Sequence, residues 1–335
     1  MKQLLLIIFL VILVLIFPLN LLQLPDDLVL QTKSSLRSLV HEDQVNDDQH
    51  QKQSINFNTG KIKMGMTKQS VDDILGTPHM RLKNEYHEYW TVYHHNYNEF
   101  LLVMYLNNKV QGVYSNQNMV QAPHHMRYGM TRQQIEVYNG DPLQVFSGEN
   151  YKLKLDNSES AIYDFNDYYV TLFYDRYNKN KVDGIKIISK NAAKLKSYHY
   201  TFPDDALIED YATLHYQLIN ATRKNKGLSV LKYNKQLEHV AKLHAKDMAE
   251  NHFFNHINLK HETPFDRMHN AGLEYRMAGE NIAYGQVSPI EAHHGLMNSI
   301  GHRKNILKND YENIGIGIAF NNNNQPYYVE NYLTE

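Results

Sequence analysis

Gly279-Glu280-Asn281-Ile282 and Gly301-His302-Arg303-Lys304-Asn305-Ile306-Leu307 are the stretches on which the reading of this chain turns. A third, Phe253-Phe254-Asn255-His256, belongs with them: Glu280 lies 24 residues after His256 and 22 before His302. Each stretch is short and strongly patterned, so the two imidazoles and the carboxylate can converge in one cleft. These are the side chains that bind zinc or move protons near neutral pH.

Helical periodicity surrounds them. Tyr211, Leu214, Leu218 and Ile219 make one face of a helix that stops before Gly227. Asn234 is placed to cap a second helix, carrying Leu237, Val240, Ala241, His244, Ala245 and Met248 and ending near Asn251. Thr263-Pro264 reads as N-cap and first turn of a short third, and Ser288-Pro289 opens a fourth that extends toward Ile300. Two strands, 314–320 and 327–333, join through the turn Asn321–Asn324. Strand-like patterning gives way to helical patterning around Ser197–Asp205, so a domain is read at 205–335.

The chain has 335 residues, enough for two or three domains. Lys and Arg number 34 against 36 Asp and Glu, so no global field points to nucleic acid. Cysteine is absent, which excludes disulfides, thiolate nucleophiles and cysteine-ligated zinc. No phosphate loop and no dinucleotide motif is present.

At the N-terminus, Met1-Lys2-Gln3 precedes an apolar run from Leu4 to Leu22, interrupted by Pro18 and Asn20. Nineteen residues at about 1.5 Å each match the hydrocarbon thickness of a bilayer. Small residues for a cleavage site are missing: the first serine is Ser34, the first glycine Gly60 and the first alanine Ala122. Residues 1–25 are therefore read as a signal-anchor, with a cleaved signal and a secreted product as the alternative. Lys2 before the span favours the N-terminus inside. Residues 26–56 are polar and read as a flexible tether.

The middle is duplicated. Gly65-Met66-Thr67 leads to Gly76-Thr77-Pro78, and Gly129-Met130-Thr131 leads to Gly140-Asp141-Pro142, 64 residues later. Lys109-Val110-Gln111-Gly112-Val113 matches Lys181-Val182-Asp183-Gly184-Ile185. Thr67 and Thr131 cap a helix in each copy, and three strands follow it. Region 57–195 is thus expected to be two repeats, each a helix on a small antiparallel sheet.

Residues 208–332 resemble the CAP superfamily (cysteine-rich secretory proteins, antigen 5 and pathogenesis-related-1 proteins) in its compact bacterial form. The likeness rests on Asn220-x-x-Arg223, Leu237…Ala241…His244-Ala245…Met248, Phe254-x-His256 and the two stretches quoted first. Ile314-Gly315-Ile316-Gly317 and Tyr328-Val329-Glu330-Asn331 also fit. The tandem region resembles the CAP-associated segment of Gram-positive bacteria. The resemblance implies a three-layer α-β-α sandwich whose cleft holds His256, His302 and Glu280. The second cleft acid of many members, three positions after a tryptophan, is missing: those positions are Leu296 and Ser299. The whole chain is therefore read as α+β, the sandwich preceded by the two repeats and the membrane helix.

Two functions from different classes follow. One is a binding or scaffolding role at the cell envelope, with lipid or protein as ligand and with zinc or another divalent metal on His256 and His302. The other is a metal-dependent hydrolase of peptide or cell-wall material with Glu280 as general base; against it, no His-Glu-x-x-His or Gly-x-Ser-x-Gly motif exists. Binding is favoured. Asn281 is expected to support the cleft through its amide, and Arg303 beside it. His302 is expected near a helix end, where a cation suits the dipole. His252 is four before His256, though the helix is expected to have ended. His244 is read as a core histidine, and His293-His294 as surface or core.

Overall fold

The computed structural model describes residues 62–335. The expected membrane span at 1–25 and the tether at 26–56 lie outside the described residues. Among the described residues, no helix is long and apolar enough to cross a membrane.

The duplicated region opens with α1 (Lys68–Leu75), capped by the Thr67 side chain and ended by Gly76 at φ 80°. Strands β1 (Met80–Lys83), β2 (Tyr89–His95), β3 (Asn98–Leu106) and β4 (Lys109–Ser115) follow. The second copy repeats the opening with α2 (Arg132–Asn139), capped by Thr131 and ended by Gly140 at φ 74°. It adds a hairpin, β5 (Val145–Ser147) and β6 (Lys152–Lys154), before β7 (Ser160–Asp164), β8 (Tyr168–Asp175) and β9 (Lys181–Ser189). Backbone bonds tie each helix start to its own last hairpin in matched fashion: Lys68 N–H to Asn108 O at 3.0 Å, Arg132 N–H to Asn180 O at 3.1 Å.

A separate small sheet in each copy was the expectation; instead the two copies share one seven-stranded sheet, with the β5-β6 hairpin beside it as a two-stranded sheet of its own. The order of the shared sheet is β1-β2-β3-β4-β9-β8-β7, with β4 and β9 paired antiparallel from Gly112↔Ile188 to Ser115↔Ile185. Joining the last strands of the two copies removes two open edges that would otherwise expose unpaired backbone groups. One face of this sheet packs on Val71 of α1 and Ile135 of α2, with Leu101, Val103, Val113, Leu172 and Ile187 between them.

After a single turn, α3 (Lys190–Ala193), the chain enters α4 (Asp205–Asn225), capped by Asp204. Then come β10 (Lys232–Tyr233), α5 (Lys235–Asn251), α6 (Pro264–Asn270) and β11 (Met277–Tyr284). The last elements are α7 (Pro289–Met297), α8 (Ile300–Ile306), β12 (Asn313–Phe320) and β13 (Pro326–Thr334). The sheet order is β10-β12-β13-β11.

Alternation along β12 builds the sandwich. Ile314, Ile316 and Ile318 pack with Tyr211, Ala212 and Ile219 of α4. Gly315 and Gly317 face the other way, against α5: a Cβ on either would stand 2.1 Å from that helix's backbone. Glycine here permits close approach of helix and strand. Layers of α4, α7 and α8 on one side and α5 and α6 on the other enclose the sheet.

α4 has a second apolar stripe. Leu214, Leu218 and Ala221, with Ile290 of α7, join Leu82, Trp90, Val92, Leu102, Tyr114 and Phe173 of the seven-stranded sheet in one core. Trp90, the sole tryptophan, is fully buried in it. The two regions therefore share a hydrophobic core.

Polar contacts line the same boundary. His294 of α7 stacks on Phe173 with ring centroids 4.1 Å apart, and its Nε2 bonds the Tyr114 hydroxyl at 2.9 Å. Gly184 leaves room for that ring, since a Cβ there would lie 2.5 Å from His294 Nε2. His293, its neighbour, turns inward and bonds Thr222 of α4. Buried Lys186 of β9 pairs with Glu291 of α7, and Glu85 lies 3.7 Å from its Nζ.

Candidate functional site

β11 carries Glu280 and Asn281 and is an edge strand, so its two faces meet different layers at the margin of the sheet. Glu280 points toward α5 and α6; Asn281 points toward α4 and α8. His256 arrives in the loop after α5, and His302 sits on α8. The two histidines thus come from opposite layers beside one strand.

Glu280 is locked. Its Oε1 bonds His256 Nδ1 at 2.9 Å, and its Oε2 accepts from Arg267 Nη2 of α6 at 2.7 Å. Only 1% of the Glu280 side chain is exposed, against 45% of His256. Arg267 also donates from Nη1 to the carbonyls of His256, 2.8 Å, and Glu262, 2.9 Å. One guanidinium therefore fixes the carboxylate and the loop that presents the imidazole. His244 is a buried core residue whose Nε2 bonds Asn255 O at 2.9 Å, holding the other side of that loop. Helix α5 ends at Asn251, and His252 is its left-handed cap at φ 55°, so the helical His252–His256 pair does not form.

Asn281 supports the other layer. Its Nδ2 donates to His302 O at 3.1 Å and to Glu330 Oε2 at 2.8 Å, while its Oδ1 accepts from Asn305 at 2.8 Å. Glu330 of β13 is fully buried, held by His215 of α4 at 2.5 Å and by the Tyr332 hydroxyl at 2.6 Å. Burial pulls the His302 imidazole below its ordinary range; the Glu330 charge opposes this and the nearby His256 adds to it. Among the described residues, the His302 ring has no hydrogen-bond partner.

His302 is not near a helix C-terminus. The fourth helix breaks at Asn298-Ser299, and His302 lies in the first turn of a new one, α8. The dipole argument therefore reverses, because a helix start disfavours a cation. Arg303 turns away from the cleft. It grips Asp175 of β8 with both Nη atoms, at 3.1 and 2.8 Å, and donates to Met297 O. It supports the helix behind the cleft instead of touching it.

Arg267, Glu330 and His215 carry much of this geometry and were not singled out from sequence. A signal existed for Glu330: alternation along β13 puts it on the same face as Tyr328 and Tyr332. A charged residue between two apolar neighbours on a buried face needs a partner. His215 likewise falls on the buried stripe of α4.

The donor set can be tested against zinc. Among the described residues, no three His, Asp or Glu side chains are grouped to hold a metal ion. Glu280 has both oxygens engaged, so it does not fit as a direct ligand. His256 does fit: Glu280 holds its Nδ1 and leaves Nε2 outward, the usual carboxylate–histidine arrangement behind a metal. With His302 this makes two imidazole donors.

Residues 64–199 match the model described as CAP-associated N-terminal, and residues 216–332 that of the cysteine-rich secretory protein family. A Bacillus subtilis (strain 168) protein named uncharacterized membrane protein YlbC is 26% identical over 292 residues, covering 81% of this chain and 82% of that one. The uncharacterized protein YkwD of the same organism is 36% identical over 129 residues, 38% of this chain and half of that protein. Two solved structures share the fold. An extracellular protein containing an SCP domain from Bacillus anthracis str. Ames superposes with TM-score 0.71 at 20% identity, covering 87% of this chain and 99% of that one. A cysteine-rich secretory protein from Staphylococcus aureus subsp. aureus Mu50 gives 0.65 at 17% identity, covering 81% and 91%. The sandwich and the two-part layout agree with these matches, and the chain belongs to the CAP superfamily, its cysteine-rich secretory protein domain preceded by a CAP-associated region.

Proposed function

We propose that this protein is a membrane-anchored, extracytoplasmic binding or scaffolding module of the bacterial envelope, with His256 and His302 as the ligand-contacting groups of its cleft. One observation carries the choice of binding over hydrolysis. Glu280, the carboxylate a hydrolase would use as base, is buried and held by Arg267 on one oxygen and His256 on the other. A general base must reach the proton it takes. Glu280 instead buttresses His256.

His256 Nε2 and the His302 ring are the donors for a divalent metal. Bound there, the ion would supply a Lewis-acidic centre with positions open to a ligand's oxygen or nitrogen. Isothermal titration of zinc into the full chain tests this. One site is expected, weakened about tenfold or more in His256→Ala and in His302→Ala, since losing a ligand costs at least as much as losing the group that orients one. Equal affinity in all three proteins, or no binding in any, overturns the metal site. Incubation with peptidoglycan and protein substrates tests the rest: turnover that disappears in the two histidine variants would overturn the binding reading.

The apolar run from Leu4 to Leu22 supports anchoring, as does the membrane-protein name of the Bacillus subtilis relative. Fractionation of cells should find the full-length chain in the membrane. A product shorter by about 25 residues in the medium would mean cleavage instead.

A further inference from the structure

We propose that Asp175, a residue of the CAP-associated region, is a positioning residue for the cleft histidine His302, acting through Arg303. The proposal rests on the cleft assigned above. Four observations carry it.

α8 is only seven residues long, and its N-cap, Ser299, makes no side-chain capping bond. Its start is therefore not held by its own cap. The His302 ring has no hydrogen bond among the described residues, so its place follows from the helix that carries it. Arg303, the next residue, forks onto Asp175 through both Nη atoms, and Asp175 is 1% exposed. A planar guanidinium on a carboxylate fixes orientation as well as distance.

The segment around Asp175 is stitched to the same corner. Arg176 N–H donates to Asn298 Oδ1 at 3.0 Å, and Asn298 Nδ2 donates to Tyr174 O at 2.8 Å. The Asp175 carboxylate is itself steadied by the Tyr177 N–H at 3.0 Å. Lys226 stands 3.9 Å from its other oxygen. The end of β8 thus braces α8 from outside, through the Arg303 side chain and through Asn298 just before the helix. The duplicated region reaches the residue beside His302 and is part of the cleft's support.

A double-mutant cycle in the full chain, Asp175→Asn, Arg303→Gln and both together, tests this by hydrogen exchange and by acylation of histidines with diethyl pyrocarbonate. Asp175→Asn should speed exchange of the 300–306 amides about tenfold, as for loss of a charge-assisted pair. His302 acylation should change severalfold, while His256 acylation and exchange across β12 and β13 stay as in the parent. Arg303→Gln should do at least as much, since it also loses the bond to Met297 O, and the double variant should be no worse than Arg303→Gln, because the effect of Asp175 passes through Arg303. Unchanged α8 exchange and His302 reactivity in Asp175→Asn would overturn the proposal. So would effects that add in the double variant, or loosening spread equally over β8, β9 and α4. No ligand enters these readouts, so a cleft that binds no zinc would leave the result standing.

Discussion

Arg267 holds the cleft together on one side. Removing it would leave the Glu280 carboxylate buried with His256 as its remaining side-chain hydrogen-bond partner and His244 Nε2 4.0 Å away. Arg267→Ala should cost about 3–5 kcal/mol, the usual penalty for breaking a buried ion pair. Arg267→Lys should recover little, because one ammonium cannot reach Glu280 and two carbonyls in the geometry of the fork. Urea unfolding of the full chain would show both; a loss under about 1 kcal/mol for Arg267→Ala would mean that Glu280 is not dependent on it. At this scale the sequence was readable where a motif is local. His256, Glu280 and Asn281 were placed from their short patterned stretches. Arg267 and His215 were not, because their partners lie 13 and 115 residues away and no spacing rule links them.

The elements that meet at the domain boundary are expected to lose stability in acid. His294 of α7 is buried between Phe173, Tyr114 and β9, and burial pulls its imidazole down to about 3, with the Lys186 charge adding to the effect. Burial pulls His293 down as well. A depressed histidine is held neutral in the folded state, whereas the unfolded chain takes up its proton near pH 6.5. The contribution is complete above about pH 6.5 and is lost progressively as pH falls toward 3, on the order of 1 kcal/mol per unit for each such group. Thermal unfolding between pH 7 and pH 4 should therefore show falling stability, with a shallower slope in His294→Gln. An identical slope in that variant would remove His294 from the account. His293-His294 read from sequence as surface or core; both are buried, and their rings find different partners. Sequence could not say that one of them enters another region's sheet. The break between α7 and α8 was also illegible, since Asn298-Ser299 is not a strong stop signal; the contacts of Asn298 with β8 impose it.

At the scale of the molecule, the regions are less separable than their sequence patterns suggest. A composition shift near 200 marks a boundary in pattern, not in packing. Leu214, Leu218, Ala221 and Ile290 are buried by the other region's sheet. An excised 205–335 fragment would expose them, at about 1.5–3 kcal/mol for each large side chain. It should melt well below the full chain and scatter light on heating. An unchanged melting temperature would show that α4 does not need its second neighbour. The sandwich was legible because its strands and caps are local signals. The fusion of the two copies into one sheet was not, because it depends on β4 meeting β9 about 70 residues later, a pairing that no repeat pattern specifies.

Trp90 turns that arrangement into an optical reporter. Its indole is the only one in the chain and has no solvent contact, walled in by residues of both regions. Its emission maximum is thus a single-channel gauge of whether the two regions are seated together. A shift to longer wavelength while the sandwich keeps its ellipticity would record their parting without any label.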